Sequence, residues 1–375
     1  MKSWAMVVGI NEYPAEAAQT KLKGAVADAC DFAEWALDSS GGNVAPERLY
    51  FWTHPWPAEA AGELASYLAS DGRPGWWKAF ASPQGPTRDR PPSALEIAAT
   101  MENLGRKEYG RAKEEDDLDT RRVFVFLAGH GIRAKTVADQ EETCFVAGDF
   151  GVLAGNLASG LLPCDTFRRA LLNGRFDEAV VFTDCCRTKV VKTSLVAQSV
   201  SDAAGTPLAP WAMGFAANDD KAAYETTSTP VRGAFSSALM QGLRGHRIGE
   251  PGELRARHLN EFVQGRISSF TQHEQMPSVL FDPKPDGPVI ATGQPTGTEQ
   301  QSGPKVDVSQ LPHGTKLVLH KGDDLPLPGV GPLVVSGPSL QLPPLARGLY
   351  LLIVDDGSGR QVQFRYPNLE PIRVE

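Results

Sequence analysis

No run of apolar residues in this chain approaches the ~18 that a membrane-spanning helix needs, which excludes a helical membrane protein and a membrane partner. Basic residues are in the minority. Lys and Arg number 37 against 45 Asp and Glu, a net charge of −8, so there is no electrostatic footprint for nucleic acid. Cysteine is scarce and odd in number, 5 in 375 residues, and two of the five are adjacent. That excludes a disulfide framework and predicts free thiols in a reducing compartment, read here as the cytoplasm. Met1-Lys2-Ser3-Trp4 runs directly into a strand-like segment, without the apolar region and cleavage site of a signal peptide. The acidic run from Glu114 to Asp119 lacks the ligand spacing of an EF-hand and reads as a solvated face. The adjacent cysteines have no second pair or nearby histidine at zinc spacing. No cofactor or metal is therefore required, and calcium has no support.

What is present is concentrated between Arg122 and Thr188. Two apolar runs, residues 123–127 and 179–182, each empty into a chemically loaded turn: Ala128-Gly129-His130-Gly131 after the first, Thr183-Asp184-Cys185-Cys186-Arg187 after the second. In a parallel sheet with helical crossovers, reactive groups collect at the carboxyl ends of the strands. One strand–helix–strand excursion would return the chain from the His130 strand to a neighbouring Cys186 strand. Cysteine attacks as the thiolate and needs a base, which His130 supplies. Gly131 lets a substrate carbonyl approach, and its N–H can join that of Cys186 in holding a developing oxyanion.

The remainder reads as an α/β protein with a small all-β tail. Residues 4–10 lack alternation, as a strand buried on both faces does. A helix carrying Val26, Ala29, Cys30, Ala33 and Leu37 follows, ended by Gly41-Gly42, and then a strand at 48–53. This β-α-β start favours a doubly wound, mostly parallel sheet flanked by helices. Residues 54–120 form a Trp-, Pro- and Arg-rich insertion with a capping box at Ser93–Glu96. A short strand at 143–146, a helix capped by Asp165, a mobile loop at 188–210, a strand at 211–216 and helices at 234–243 and about 254–270 complete the first domain, residues 1–293. Residues 294–305 form a linker and 306–375 a β-rich module. The insertion and the module are the expected partner surfaces.

Several segments together resemble the caspase-like peptidases: caspases, metacaspases and their bacterial relatives. They are Val7-Val8-Gly9-Ile10-Asn11-Glu12-Tyr13, Leu22-Lys23-Gly24-Ala25-Val26-Ala27-Asp28-Ala29, the two loaded turns with their strands, Ala216 through Glu225, and Gly233-Ala234-Phe235-Ser236-Ser237-Ala238-Leu239. The resemblance spans roughly residues 3–292. It implies a caspase-haemoglobinase fold, a His130/Cys186 dyad and cysteine endopeptidase activity on protein substrates. Both the caspase and the metacaspase registers place the nucleophile at Cys186 and leave Cys185 in a variable position. Asp184, two residues before the nucleophile, matches the metacaspase form and implies an S1 pocket for Arg or Lys. Glu12 is a candidate second acid in that pocket, and Asp219 or Asp220 a further one. Lys189 and Lys192 in the 188–210 loop suggest self-cleavage there. The resemblance also suggests a protein activator and a bacterial defence or stress setting. A catalytically idle scaffold of the same fold and an Asp-specific protease are the competing readings.

Overall fold

The computed structural model describes residues 1–13, 21–57, 62–69, 90–114, 119–152, 157–173, 176–189, 195–198, 209–227, 229–246, 252–282, 286–292, 304–321, 325–326, 330–342, 348–358, 360–366 and 372–374. At its centre lies a six-stranded sheet. Its strands are β1 (Lys2–Ile10), β2 (Leu49–His54), β3 (Arg121–Ala128), β7 (Glu178–Asp184), β10 (Trp211–Phe215) and β12 (Ser278–Phe281), in the order β12-β10-β7-β3-β1-β2. Every pairing is parallel except β10 with β12. The expected mostly parallel α/β sheet is thus observed. The first strand neighbours the His130 strand, as its place in the topology requires.

Strands in the middle of such a sheet bury both faces, and their side chains alternate between two cores. Phe124, Phe126, Ala128, Val180 and Phe182 point to one core, beneath helices α1 (Ala25–Leu37), α5 (Ala234–Gly245) and α6 (Ala256–Arg266). Val123, Val125, Leu127, Ala179 and Val181 point to the other, beneath α3 (Ala94–Glu114) and α4 (Cys164–Leu172). Phe32 of α1 stacks on Phe126 with ring centroids 4.6 Å apart, fixing the helix over the sheet. Truncating a buried Phe of this kind to Ala costs about 3–5 kcal/mol.

Helix ends depart from the sequence expectation in two places. Helix α1 stops at Leu37, where the Asp38 N–H bonds the Glu34 carbonyl, so Gly41-Gly42 belong to the following turn. They are glycines because a Cβ at Gly41 would lie 2.3 Å from the Trp35 carbonyl oxygen. Asp165 does not cap α4. The helix begins at Cys164 after Pro163, and the Asp165 carboxylate sits in its first turn, bonded to Arg168 at 2.6 Å and Arg169 at 3.2 Å. An acid there also complements the helix dipole. The capping box is present: the Glu96 N–H bonds Ser93 Oγ at 3.1 Å, and the Ser93 N–H bonds Glu96 Oε2 at 2.8 Å.

The excursion between the two loaded turns is longer than strand–helix–strand. It includes β4 (Gly131–Lys135), β5 (Glu141–Val152) and β6 (Leu157–Pro163) before α4, and these join a second sheet ordered β5-β6-β9-β4-β8. The remaining two strands, β8 (Thr188–Lys189) and β9 (Val196–Ala197), come from the stretch expected to be a mobile loop. Parts of that stretch are therefore strand-paired, and Lys192 lies outside the described residues. In the insertion, α2 (Gly62–Ala69) packs on α1 and α3 on the opposite face of the sheet, and Trp56 meets Phe51 edge-on at 5.9 Å rather than facing solvent. Trp76 and Trp77 lie outside the described residues, as does most of the expected linker.

The tail is all-β. Lys316–Lys321, Gly348–Val354 and Gln361–Tyr366 pair antiparallel in one sheet, and Lys305–Asp307 pairs with Ser339–Gln341 and Ile372–Arg373 in another. Val306, Leu317, Leu319, Tyr350 and Leu352 form their own core. Among the described residues no helix is long and apolar enough to cross a membrane.

Candidate active site

Two registers bring the loaded turns together. Before the turns, β3 pairs β7 with Ala128 opposite Asp184. After them, β4 pairs β8 with Ile132 opposite Thr188. Both pairings are parallel and share one sequence offset, so His130 lies opposite Cys186 in the gap between them. A hydrogen bond from the Gly129 N–H to the Asp184 carbonyl, at 3.1 Å, closes the gap from the sheet side. Gly131 presses on the cysteine turn. A Cβ there would lie 2.5 Å from both the Cys185 Sγ and the Cys186 carbonyl oxygen, so no larger residue fits without moving the turn.

Alternation then separates the two cysteines. Asp184 continues the face of Val180 and Phe182, while Cys185 continues that of Ala179 and Val181 and belongs to the opposite core. Cys185 is 2% exposed, and burial pushes its thiol well above the ordinary range. Cys186, half-buried, lines a cavity together with His130, Asp28, Asp184, Ala223, Tyr224 and Glu225, and the buried Cys185 touches the same wall. Its Sγ accepts the Ala223 N–H at 3.3 Å. Burial raises the Cys186 thiol above its ordinary value, the Ala223 N–H pulls it down, and the Asp184 charge raises it again. A thiol so placed rests protonated at neutral pH and requires a base to act as a nucleophile.

His130 is held by its main chain. Its N–H donates to Tyr13 Oη at 2.8 Å, and its carbonyl accepts the Val146 N–H at 2.9 Å.

The cavity wall is acidic. Asp184 is buried and accepts the Ser236 N–H at 3.0 Å and the Ser236 hydroxyl at 2.5 Å. Burial lifts its carboxyl to about 6, partly offset by those two bonds. Asp28, 1% exposed, accepts the Gly233 N–H at 2.7 Å and the Arg232 guanidinium. Burial pushes its carboxyl up, and Arg232 pulls it back. Glu225 Oε1 accepts the N–H groups of Lys23 and Gly24 at 2.7 and 2.6 Å, which ties the start of α1 to the loop after β10. Arg232 is shared by Asp28 and Asp31, so positive charge stands behind the wall and none of the lining residues brings a cation into the cavity.

Of the sequence candidates, His130, Cys186 and Asp184 meet at this cavity, and Gly131 lies against it. Glu12 and Asp219 do not line it. Glu12 sits at the surface, paired with Lys21 at 3.2 Å. Asp219 bridges Arg133 and Arg187 and lines a separate cavity of about 360 Å³ on the other side of the cysteine turn. Asp220 takes a left-handed turn conformation, φ 63°, and donates its N–H to the Arg187 carbonyl. Sequence reasoning missed Asp28 and Glu225 as cavity residues, and Ser236 as the partner of Asp184 behind the wall. Asp28 stands between the apolar positions of α1, where spacing alone reads as a polar face, yet its side chain is buried. Glu225 gave no signal beyond its place in a family segment.

Comparison with known proteins gives the family. The caspase-domain model of the C14 peptidases matches residues 2–283. A probable protease from a Desulfuromonadales bacterium is 29% identical over 250 residues, which cover 65% of this chain and 26% of that protein. This chain therefore spans about a quarter of that relative's length. A solved structure of pro-Sf-caspase-1 aligns with 75% of this chain and 90% of its own, at 11% identity and a TM-score of 0.39. The family match runs through both loaded turns and the sheet that carries them, and the chain belongs to the caspase-domain family of C14 peptidases.

Proposed function

We propose that this chain is a cysteine endopeptidase that cleaves protein substrates after Arg or Lys, with Cys186 as nucleophile and His130 as its base. One observation carries the reading. The cavity that holds His130 and Cys186 together is walled by the carboxylates of Asp28, Asp184 and Glu225. In this mechanism His130 takes the Cys186 proton as the thiolate attacks the scissile carbonyl, and returns it to the leaving amine. The N–H groups of Gly131 and Cys186 hold the oxyanion, an interaction commonly worth on the order of 100-fold in rate. A P1 cation enters the acidic cavity, where an acidic or neutral side chain leaves the Asp184 carboxylate, bonded only to Ser236 among the described residues, without a counter-charge. No cofactor takes part.

The cavity holds only about 40 Å³, room for a few waters. A P1 side chain of arginine length enters after the wall moves. That supports activation by a protein partner or by self-cleavage; the cytoplasmic defence or stress setting belongs to the same reading on the family resemblance alone. A fluorogenic panel with P1 Arg, Lys and Asp, run on wild type, Cys186→Ala and His130→Ala, tests it. Cleavage after Arg and Lys that both variants abolish is the expected result. Cleavage after Asp alone overturns the pocket assignment, and no cleavage with any activator favours the idle scaffold.

A further inference from the structure

Tyr13 follows β1 and reaches across to the His130 turn. Its hydroxyl oxygen accepts the His130 N–H at 2.8 Å and donates onward to the Val146 carbonyl at 3.2 Å. The Val146 N–H returns to the His130 carbonyl at 2.9 Å. His130 therefore has both its main-chain groups fixed in one closed loop of hydrogen bonds, and Tyr13 is the single side chain in that loop. Its ring also lies against the imidazole, with centroids 4.9 Å apart and planes tilted by 36°. The turn is built around this hydroxyl. A Cβ at Gly129 would lie 2.5 Å from Tyr13 Oη, so the glycine before His130 is where the phenol needs room. Burial holds the phenol far above its ordinary pKa, so it remains protonated and keeps both bonds across the working pH range. The tyrosine also packs against two cores, that of the main sheet and that of the second sheet, which fixes its own position.

We propose that Tyr13 is a positioning residue that fixes the His130 backbone and imidazole against Cys186. This role rests on the reading of His130 as the catalytic base. Tyr13 does not line the cavity and takes no part in bond making. Its effect is orientation, and small misplacements of a reacting group cost rate rather than binding.

The test uses the full chain as wild type, Tyr13→Phe, Gly129→Ala, His130→Ala and Cys186→Ala. It reads kcat and KM on a P1-Arg peptide, the His130 ring-proton resonance by NMR, and thermal stability. Tyr13→Phe keeps the ring and loses the hydroxyl. It is expected to lower kcat roughly 10- to 100-fold with KM within about 2-fold, and to shift the His130 resonance. Gly129→Ala crowds the hydroxyl, and the Phe145 ring with it, without changing Tyr13. Because Gly129 also lines the cavity, only the His130 resonance is read in this variant, and its expected shift keeps the test alive if Tyr13→Phe fails to fold. A Tyr13→Phe enzyme with wild-type kcat, a rise in KM alone, or a lowered melting temperature with an unmoved His130 resonance overturns the proposal. If no condition yields turnover in wild type, the NMR arm decides by the same criterion. Activity surviving in His130→Ala sinks the base assignment, and the Tyr13 role with it. Loss of activity in His130→Ala and Cys186→Ala beside an unaffected Tyr13→Phe overturns only the Tyr13 role.

Discussion

His130 and Cys186 stand opposite one another because the strand pairs on either side of them share one register: Ala128 faces Asp184 before the turns, and Ile132 faces Thr188 after them. A one-residue slip in either pair would carry one side chain to the opposite face of the sheet. The juxtaposition is thus a property of two sheets meeting at one edge.

The buried Asp184 carboxyl makes the proposed activity pH-dependent. Its pKa is raised to about 6, chiefly by burial, and only the ionised form attracts a P1 cation. The kcat/KM for a P1-Arg peptide should rise with pH through about 6 and continue to rise toward about 8, where Asp28, pushed up by burial in the same wall, ionises in turn. Stability runs the other way. A carboxyl whose folded pKa lies above its ordinary value supports the fold fully below that ordinary value, and the support is lost as pH rises through about 6. Asp184→Asn, whose amide oxygen still accepts the Ser236 N–H, should lose about 100-fold or more in kcat/KM on P1-Arg peptides. Its melting temperature relative to wild type should be higher at pH 8 than at pH 4. A pH-independent difference in thermal scans would contradict the ionisation argument.

Gly233→Ala tests the cavity wall without altering a charge. The added methyl would lie 2.0 Å from Asp184 Oδ2 and 3.0 Å from Asp28 Oδ2. The variant should raise KM for basic substrates by about 10-fold or more while leaving alkylation of Cys186 by iodoacetamide near the wild-type rate. Equal losses in both measurements would mean that the whole turn, and not the pocket, had moved.

The two adjacent cysteines should separate cleanly. Cys185 packs in the core against Gly131, so Cys185→Ala is expected to cost about 1–2 kcal/mol in a denaturant melt and to leave kcat within a few-fold. Cys186→Ala should abolish turnover with little change in stability. The opposite pattern would reassign the nucleophile.

Asp219 distinguishes a pocket acid from a structural one. It holds Arg187, whose guanidinium also donates to Thr143 Oγ1 at 2.7 Å and the Ala217 carbonyl at 3.1 Å and lies 4.0 Å over the Phe215 ring. The Arg187 main chain is tied to the 216–221 loop by its own N–H, which bonds the Lys221 carbonyl. Asp219→Asn should therefore lower kcat and thermal stability and leave the preference for Arg over Asp at P1 unchanged. A change in that preference would return Asp219 to the pocket.

Much of this is legible in the sequence. Local patterning determined the buried parallel strands, since residues 4–10, 123–127 and 179–182 lack the alternation of a half-exposed sheet. It also determined the α1 and α3 helices, the capping box at Ser93 and the β-rich tail. The two loaded turns were visible because glycine, histidine and cysteine just past apolar runs have few structural uses. What the sequence could not decide was which side chains share a wall. Asp28 and Glu225, nearly two hundred residues apart, both reach the cavity because α1 and the loop after β10 are tied together at Lys23 and Gly24. Glu12 and Asp219, plausible by position, turn to the cations Lys21, Arg133 and Arg187 instead. The demotion of Cys185 followed from family register alone in the sequence, and the sheet supplies the cause, since adjacent residues of a strand face opposite cores. Periodicity is a local property and is written in order along the chain. The company a charge keeps depends on the folded sheet, which brings distant carboxylates and guanidiniums within reach of one another.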